Sequence, residues 1–349
     1  MATGKALDGK PYAGNPHVRF DEGEVAPAAT PRRGSLLYNN MVNGGVTRRQ
    51  IIGGMGAAVA LAAVGDSTFG GGGDLMQWQN EIDEVTPDDY LAYLEGRGER
   101  RFAALERLDK AFGKVLEEAK STKIQDRPAV WLVYNMGIIV KTRETLFSVD
   151  LCHRRADEIA PLLDFALITH NHNDHYTRRF YETMDSMLRK TVVNNFECNY
   201  GARTMPYQEG EPKNFGGGYT RGGKTFNFRD VEIRTYVSDH NEYLVGYTMP
   251  FEIITGGFTI FHSGDSSRAD QLNPSRMPDL WIVHPRIGLM VDEGVRRFRP
   301  KTTVIAHLNE FTHPAGKWRW TWEDGFVEKS RAESAGGRAI VPVWGERIA

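Results

Sequence analysis

Residues 167–175 read Leu-Ile-Thr-His-Asn-His-Asn-Asp-His, and this run constrains the chain more than any other. Phe165-Ala166-Leu167-Ile168 has the apolar character of a buried strand. Four potential metal ligands follow it within six positions: His170, His172, Asp174 and His175. In an extended segment residues i and i+2 face the same side, so His170 and His172 can bind one ion together. Asp174 and His175 follow as the chain turns toward a helix and can address a second ion. Imidazole and carboxylate suit zinc, iron or manganese rather than calcium, and the lack of a nearby cysteine argues against a purely structural site. The alternative is a chance cluster of surface histidines. With 10 histidines in 349 residues, a chance match to this four-ligand pattern is on the order of one in a thousand or less.

The remaining composition narrows the class. Hydrophobic residues make up 40% and charged residues 25% of the chain, enough apolar mass for a large core. Lys and Arg number 43 against 45 Asp and Glu, and a net charge of −2 leaves no electrostatic footprint for nucleic acid. The two cysteines, Cys152 and Cys198, exclude a disulfide framework and a Cys-rich metal module.

The N-terminal part reads as separate from the fold. Thr47-Arg48-Arg49-Gln50 precedes Ile51 to Gly65, fifteen residues without a charge and rich in Ala and Gly. A basic start, a short apolar run and small residues around Ala60-Leu61-Ala62 are the layout of an export signal, and the Arg pair points to the twin-arginine route. The run is shorter than the ~20 residues that span a bilayer, so no stable membrane anchor is expected in the mature form. A buried Ala/Gly helix is the alternative, and it would leave the protein cytoplasmic rather than periplasmic or extracellular. Residues 1–40 are polar, with Pro11, Pro16, Pro27 and Pro31 scattered through them, and Met41 stands where a signal peptide would begin. The expected division is a disordered or non-native extension over 1–40, a signal peptide over 41–70 and a helical preface over 71–125.

Within the preface, Thr86-Pro87-Asp88-Asp89 is a helix start signal after the glycine run 70–73. Phe102, Leu105, Leu108, Phe112, Val115 and Leu116 recur at helical spacing and form one apolar face. From about residue 126 short β-type runs take over: 130–134, 137–140, 146–149, 165–168, 192–193, 231–237, 247–253, 258–261, 280–283 and 303–306. Mixed with helical segments such as Arg178 to Lys190, they imply sheets covered by helices.

His-x-His-x-Asp-His after an apolar strand resembles the signature of the metallo-β-lactamase superfamily. Ile168-Thr169-His170-Asn171-His172 looks most like its branch of ascorbate-6-phosphate lactonases and N-acyl-phosphatidylethanolamine phospholipase D-like enzymes. The resemblance implies an α+β fold, a four-layer αββα sandwich over residues 126–349, behind the N-terminal helical extension. It also implies further ligands at strand ends. His240, in Ser238-Asp239-His240, matches the third ligand of the first metal. Asp265, in Gly264-Asp265, matches the carboxylate that bridges the two ions. His307 matches the last ligand of the second metal, with His313 six residues later as an alternative. His262 and His284 are expected to support rather than ligate, and Asp150 to brace the ligand loop.

The function these residues imply is that of a binuclear hydrolase of a small-molecule lactone or phosphoester, holding two divalent ions, zinc first, manganese or iron also compatible. Asp174 would orient the attacking water and accept its proton. The loop Leu308 to His313, with Glu310 and His313, is expected on the substrate side, leading toward Trp318, Trp320 and Trp322. Lys301, Arg268, Arg178 and Arg179 could neutralise a phosphate or could be ordinary surface charges. Two other classes stay open: a mononuclear iron oxidoreductase in the same ligand frame, as in persulfide dioxygenases, and a non-catalytic metal-binding scaffold.

Overall fold

A computed structural model describes residues 71–97, 101–175, 177–187, 190–194, 218–220, 222–242 and 244–349. The segments expected to be an N-terminal extension and an export signal, and Cys198, lie outside the described residues. Among the described residues, no helix is long and apolar enough to cross a membrane.

Three helices open the described chain: α1 (Gly71–Asp83), α2 (Pro87–Leu94) and α3 (Ala103–Ser121). Helix α1 begins inside the glycine run, which the sequence reads as a boundary. Helical glycine costs about 1 kcal/mol each against alanine. Buried Trp78 and Ile82 anchor the helix at its other end. Helix α2 starts as its signal predicts. The Thr86 hydroxyl accepts the Asp89 amide at 3.2 Å, and the Asp89 carboxylate accepts the Thr86 amide at 3.2 Å, a reciprocal cap of the kind that stabilises by about 1 kcal/mol. The apolar face of α3 is buried through Leu105, Leu108, Phe112, Val115 and Leu116. It packs on strand β1 (Ala129–Tyr134), where Trp131 Nε1 donates to Glu118 Oε2 at 2.7 Å.

Two seven-stranded sheets complete the fold. The first contains β1, β2 (Gly137–Lys141), β3 (Leu146–Val149), β4 (Phe165–Ile168), β5 (Lys190–Asn194) and β6 (Gly218–Thr220) in sequence order, with the last strand β14 (Glu346–Arg347) beside β1. The second runs β13 (Ala339–Ile340), β12 (Thr302–Ile305), β11 (Leu280–Val283), β10 (Phe258–His262), β9 (Phe251–Thr255), β8 (Val231–Thr235) and β7 (Thr225–Phe228). Each sheet is antiparallel on one side and parallel on the other: β3 through β6 in the first and β10 through β13 in the second. The parallel halves put consecutive strand ends on one edge.

The sheets stack through alternate side chains. Val130, Leu132, Ile138, Val140, Phe147 and Leu167 of the first meet Ile233, Phe251, Ile253, Ile260, Ile282 and Val304 of the second. Each such burial is worth about 1.5–3 kcal/mol. The opposite faces are covered by helices: α1 to α3, α4 (Ala156–Ile159) and α5 (Arg178–Ser186) on the first sheet, α6 (Val291–Phe298) and α7 (Trp322–Ser334) on the second. Helix α6 approaches so closely that a Cβ on Gly294 would sit 2.0 Å from the Trp281 ring. The layers are α-β-β-α, as the resemblance implies.

Several boundaries differ from the sequence reading. The run 247–253 becomes a strand only from Phe251, because Pro250 has no amide to donate to a ladder and the chain before it makes one isolated bridge, Ser238 with Thr248. The helix expected over 178–190 ends at Ser186, since Lys190 to Asn194 pairs with β4. Trp322 starts α7 and is buried against Trp78 and Trp344, so it belongs to the core and not to a site wall.

Candidate metal centre

Strand β4 delivers Thr169 to His175 past the edge of the first sheet, and Asp150 at the end of β3 fixes how they are presented. Asp150 Oδ1 accepts the Thr169 amide at 2.8 Å, and its Oδ2 accepts the Thr169 hydroxyl at 2.7 Å and lies 2.9 Å from His175 Nδ1. A carboxylate only accepts, so His175 Nδ1 carries a proton, and in the neutral ring that a metal requires Nε2 is bare and turned inward. With its own proton given to Asp150, the Thr169 oxygen accepts from His170 Nδ1 at 3.0 Å. His170 therefore also presents a bare Nε2. The expected bracing role of Asp150 has a concrete form here: one carboxylate sets two tautomers.

The second sheet supplies the opposing residues. After β10 the chain turns through Gly264 at φ +52°, where a Cβ would stand 2.9 Å from the Thr169 side chain. Only glycine permits that turn without strain, and it aims Asp265 across the sheet edge. His307 follows β12 in the same left-handed region, at φ 55°, with its amide donating to Asn135 O at 3.2 Å. Asn135 and Asp150 are left-handed too, at φ 54° and 46°. Non-glycine residues in this region cost of order 1–3 kcal/mol and concentrate at functional sites.

All seven expected ligands come together in two groups. His170, His172, His240 and Asp265 form the first, and Asp174, His175, Asp265 and His307 form the second. Within each group the ligand atoms lie within 4.8 Å of one another, and Asp265 belongs to both. Asp265 Oδ2 stands 3.8 Å from His170 Nε2, 3.4 Å from His175 Nε2, 3.5 Å from His240 Nε2 and 3.3 Å from His307 Nε2. Despite this crowding, Nε2 of His170, His175, His240 and His307, and Asp265 Oδ1, are buried without a hydrogen-bond partner. Buried polar atoms are ordinarily paired. In their neutral rings these atoms offer clustered lone pairs that fit a cation, and the nitrogen–oxygen donor set fits zinc, iron or manganese. His172 is the half-buried member; the others are buried.

The charges are tuned by the same crowding. Burial pushes the Asp265 carboxyl up, but His175, His307 and His284 overcome it and hold it well below the usual carboxylate range. Asp174 is likewise held low, through His175 and His307 against burial. Burial lowers His175, yet Asp265, Asp174 and Asp150 together raise it well above the usual imidazole value. His307 is raised to about 10 against its burial, by Asp265 and Asp174. His170 is driven down by burial, with His175 and His172 adding to it.

The neighbouring histidines are occupied elsewhere. His262 Nε2 lies 2.9 Å from Met136 O, and its Nδ1 accepts the Gly264 amide at 3.3 Å, so it supports the turn before Asp265. His284 lies flat on His307, ring centroids 3.8 Å apart, and its Nδ1 accepts the Arg286 amide at 3.2 Å. His313 pairs with Glu310, Nδ1 to Oε1 2.6 Å, and stands in neither ligand group. Glu310 is buried, and its oxygens accept the amides of Thr312 and His313 at 2.7 and 3.1 Å. It shapes the loop that leaves His307. The four basic residues considered for a phosphate each face an acid: Lys301 with Asp279, Arg268 with Asp270, Arg178 with Glu182 and Arg179 with Asp157.

Sequence reasoning missed Asn135, whose Nδ2 donates to Asp174 Oδ2 at 2.9 Å. An Asn two residues before Gly137, between two strands, is a turn signal that points to this position. It missed Tyr247 as well, whose hydroxyl bonds to Asn171 and whose ring lies 5.3 Å from that of His172.

No family model matches the chain. Solved structures that the chain is similar to include the metallo-β-lactamase fold protein YhfI from Bacillus subtilis, at 14% identity and TM-score 0.48, covering 64% of this chain and 99% of that one. Igni18, a metallo hydrolase from Ignicoccus hospitalis, aligns at 19% identity and TM-score 0.47 over 63% of this chain and 97% of its own. An isothiocyanate hydrolase from Delia radicum gut bacteria aligns at 13% identity and TM-score 0.46, over 64% and 99%. What this chain can do is carried by its own residues.

Proposed function

We propose that the protein is a binuclear metal-dependent hydrolase acting on a small-molecule lactone or phosphoester, of the kind its ligand-loop motif resembles. One observation carries this reading: two four-residue groups share Asp265 and aim unpartnered buried nitrogens at their centres. A structural zinc site is closed by four ligands of its own, whereas a shared carboxylate leaves each position short of a private set. Bound there, two divalent ions, zinc first, would supply an activated water and a Lewis acid.

The chain's residues do the rest. His170, His172, His240 and Asp265 would hold one ion, and Asp174, His175, His307 and Asp265 the other. Asp150 and Thr169 keep His170 and His175 in the ligating tautomer. Asp174, its Oδ2 anchored by Asn135, would orient the attacking water and receive its proton. The half-buried side at His172 would be the side open to a substrate. Export through the twin-arginine route belongs to the same proposal and rests on Arg48-Arg49 before the uncharged run.

The test is elemental analysis of the purified protein beside a panel of lactones and phosphodiesters. Two zinc or manganese ions per chain with turnover of an ester are expected. One iron per chain with oxygen uptake, or a full metal load with no ester cleaved, would overturn the reading.

A further inference from the structure

Tyr90 sits on α2, ahead of the first strand, yet its side chain is fully buried against Cys152, Tyr134 and Phe311. Its hydroxyl lies 3.4 Å from Cys152 Sγ, and Cys152 Sγ lies 3.2 Å from Asn173 O. A thiol has one proton and a carbonyl can only accept, so Cys152 donates to Asn173 and the Tyr90 hydroxyl donates to sulfur. The Asn173 carbonyl and the Asp174 amide form one planar peptide group. This relay therefore sets the plane from which Asp174 departs.

The Tyr90 ring makes a second connection. It lies 5.3 Å from Phe311 and 5.5 Å from Tyr134, and the Tyr134 and Phe311 rings stack at 5.8 Å. The Tyr134 hydroxyl accepts the Phe311 amide at 2.6 Å, which fixes the loop that leaves His307. Aromatic pairs of this kind are worth about 0.5–1.5 kcal/mol beyond their buried area. One side chain thus touches the supports of both Asp174 and His307. The first set ends on the peptide that carries Asp174 and the second on the loop that leaves His307, both members of the second group.

We propose that Tyr90 is a positioning residue for the second metal group, so that helix α2 is part of the site's machinery although it precedes every strand of the sandwich. This rests on the two-ion reading above. Its route is directional: the hydroxyl acts on Asp174 through Cys152, and the ring acts on His307 through Phe311.

The experiment titrates zinc into chelator-stripped full-length protein against a competing chromophoric chelator, which resolves two binding steps. The step lost in His307→Ala marks the second group. Tyr90→Phe should weaken that step about tenfold, at the low end of what outer supports of a metal ligand contribute, and leave the other step unchanged. Cys152→Ala should weaken the same step, and Tyr90→Phe combined with Cys152→Ala should cost no more than the larger single effect, because both interrupt one relay. A merely structural tyrosine would lower Tm and weaken both steps together, and that result overturns the proposal. Unchanged affinity in Tyr90→Phe and Cys152→Ala overturns it too. A wild-type chain that binds fewer than two zinc ions would instead overturn the two-ion reading and take the proposal with it.

Discussion

Asn135 holds Asp174 by its side chain, Nδ2 to Oδ2 2.9 Å, while its own carbonyl accepts the amide of His307 at 3.2 Å. A single turn residue between β1 and β2 thereby sets the spacing of two members of the second group. It does so from a left-handed backbone at φ 54°, which Asn tolerates better than most residues. Asn135→Gly keeps that backbone accessible and deletes only the amide. We expect it to retain most of the wild-type Tm but to lose 10–100-fold in affinity for the second ion, the range typical of outer supports. Isothermal titration of the stripped protein checks this, and an unchanged second binding step would count against the role.

Asp265 and His262 stand three residues apart and should behave differently. On the two-ion proposal, removing the charge of the shared carboxylate would leave two divalent ions facing each other with less negative charge between them. Asp265→Asn should bind about one ion and lose most turnover, whereas His262→Ala, which loses a bond to Met136 O, should keep two ions and lose stability instead. Elemental analysis beside kcat for each variant decides it. Two ions in Asp265→Asn and one in His262→Ala would reverse the assignment.

Gly264 and Gly257 offer a matched pair. Both have positive φ, +52° and +78°, but a Cβ at Gly264 meets Thr169 and Thr248 at 2.9 Å while one at Gly257 meets nothing within 4 Å. Alanine in the left-handed region costs about 1–2 kcal/mol at either position. At Gly264 the clash adds about 1–3 kcal/mol and displaces Asp265. Urea denaturation should find Gly264→Ala clearly less stable than Gly257→Ala, and only Gly264→Ala should lose metal. Equal destabilisation would show that the turn has room to relax.

Stability should also fall in acid through a histidine outside the metal groups. Burial, with Arg155 and Arg154 beside it, holds His153 down at about 3 from an ordinary value of 6.5. It stacks on Phe112, with Tyr93 and Asp109 close by. The folded chain keeps it neutral and the unfolded chain protonates it. Its contribution is therefore whole above about pH 6.5 and declines toward pH 3, by about 1.4 kcal/mol per unit. His153→Gln should flatten the pH dependence of the unfolding free energy between about pH 6 and pH 4. Parallel curves for the two proteins would rule out the assignment.

Replacing Arg48 and Arg49 by Lys should leave a precursor in the cytoplasm. Fractionation of cells expressing the variant reads this directly, and undiminished processed protein outside the inner membrane would end the twin-arginine reading.

The site is legible in the sequence to the degree that its residues are local. His170 to His175 are contiguous, so their chemistry shows without any fold. His240, Asp265 and His307 each come after an apolar run, and the family's order of ligands is needed to connect them. Asn135 and Tyr90 carry no such mark, because their meaning depends on what folds against them: Asp174 lies 39 positions from Asn135, and Cys152 lies 62 from Tyr90. The same holds for the fold. Strands such as β1 and β11 are uninterrupted apolar runs, whereas β13 and β14 span two residues each and have no periodicity to read. Helix α6 carries Gly294 in its middle, a helix-weakening residue whose reason is the Trp281 ring beneath it.

The two sheets are nearly consecutive halves of the chain, β1 to β6 and then β7 to β13, and each ligand group draws on both. His170, His172, Asp174 and His175 come from the first half; His240, Asp265 and His307 come from the second. Neither half can chelate an ion alone with more than part of a set. Affinity for an ion would therefore include the free energy of docking the halves, and by linkage an ion would clamp the seam it occupied. The metal would then serve the molecule twice, as reagent and as rivet. Depleting it would loosen the joint between two sheets before it melted either one.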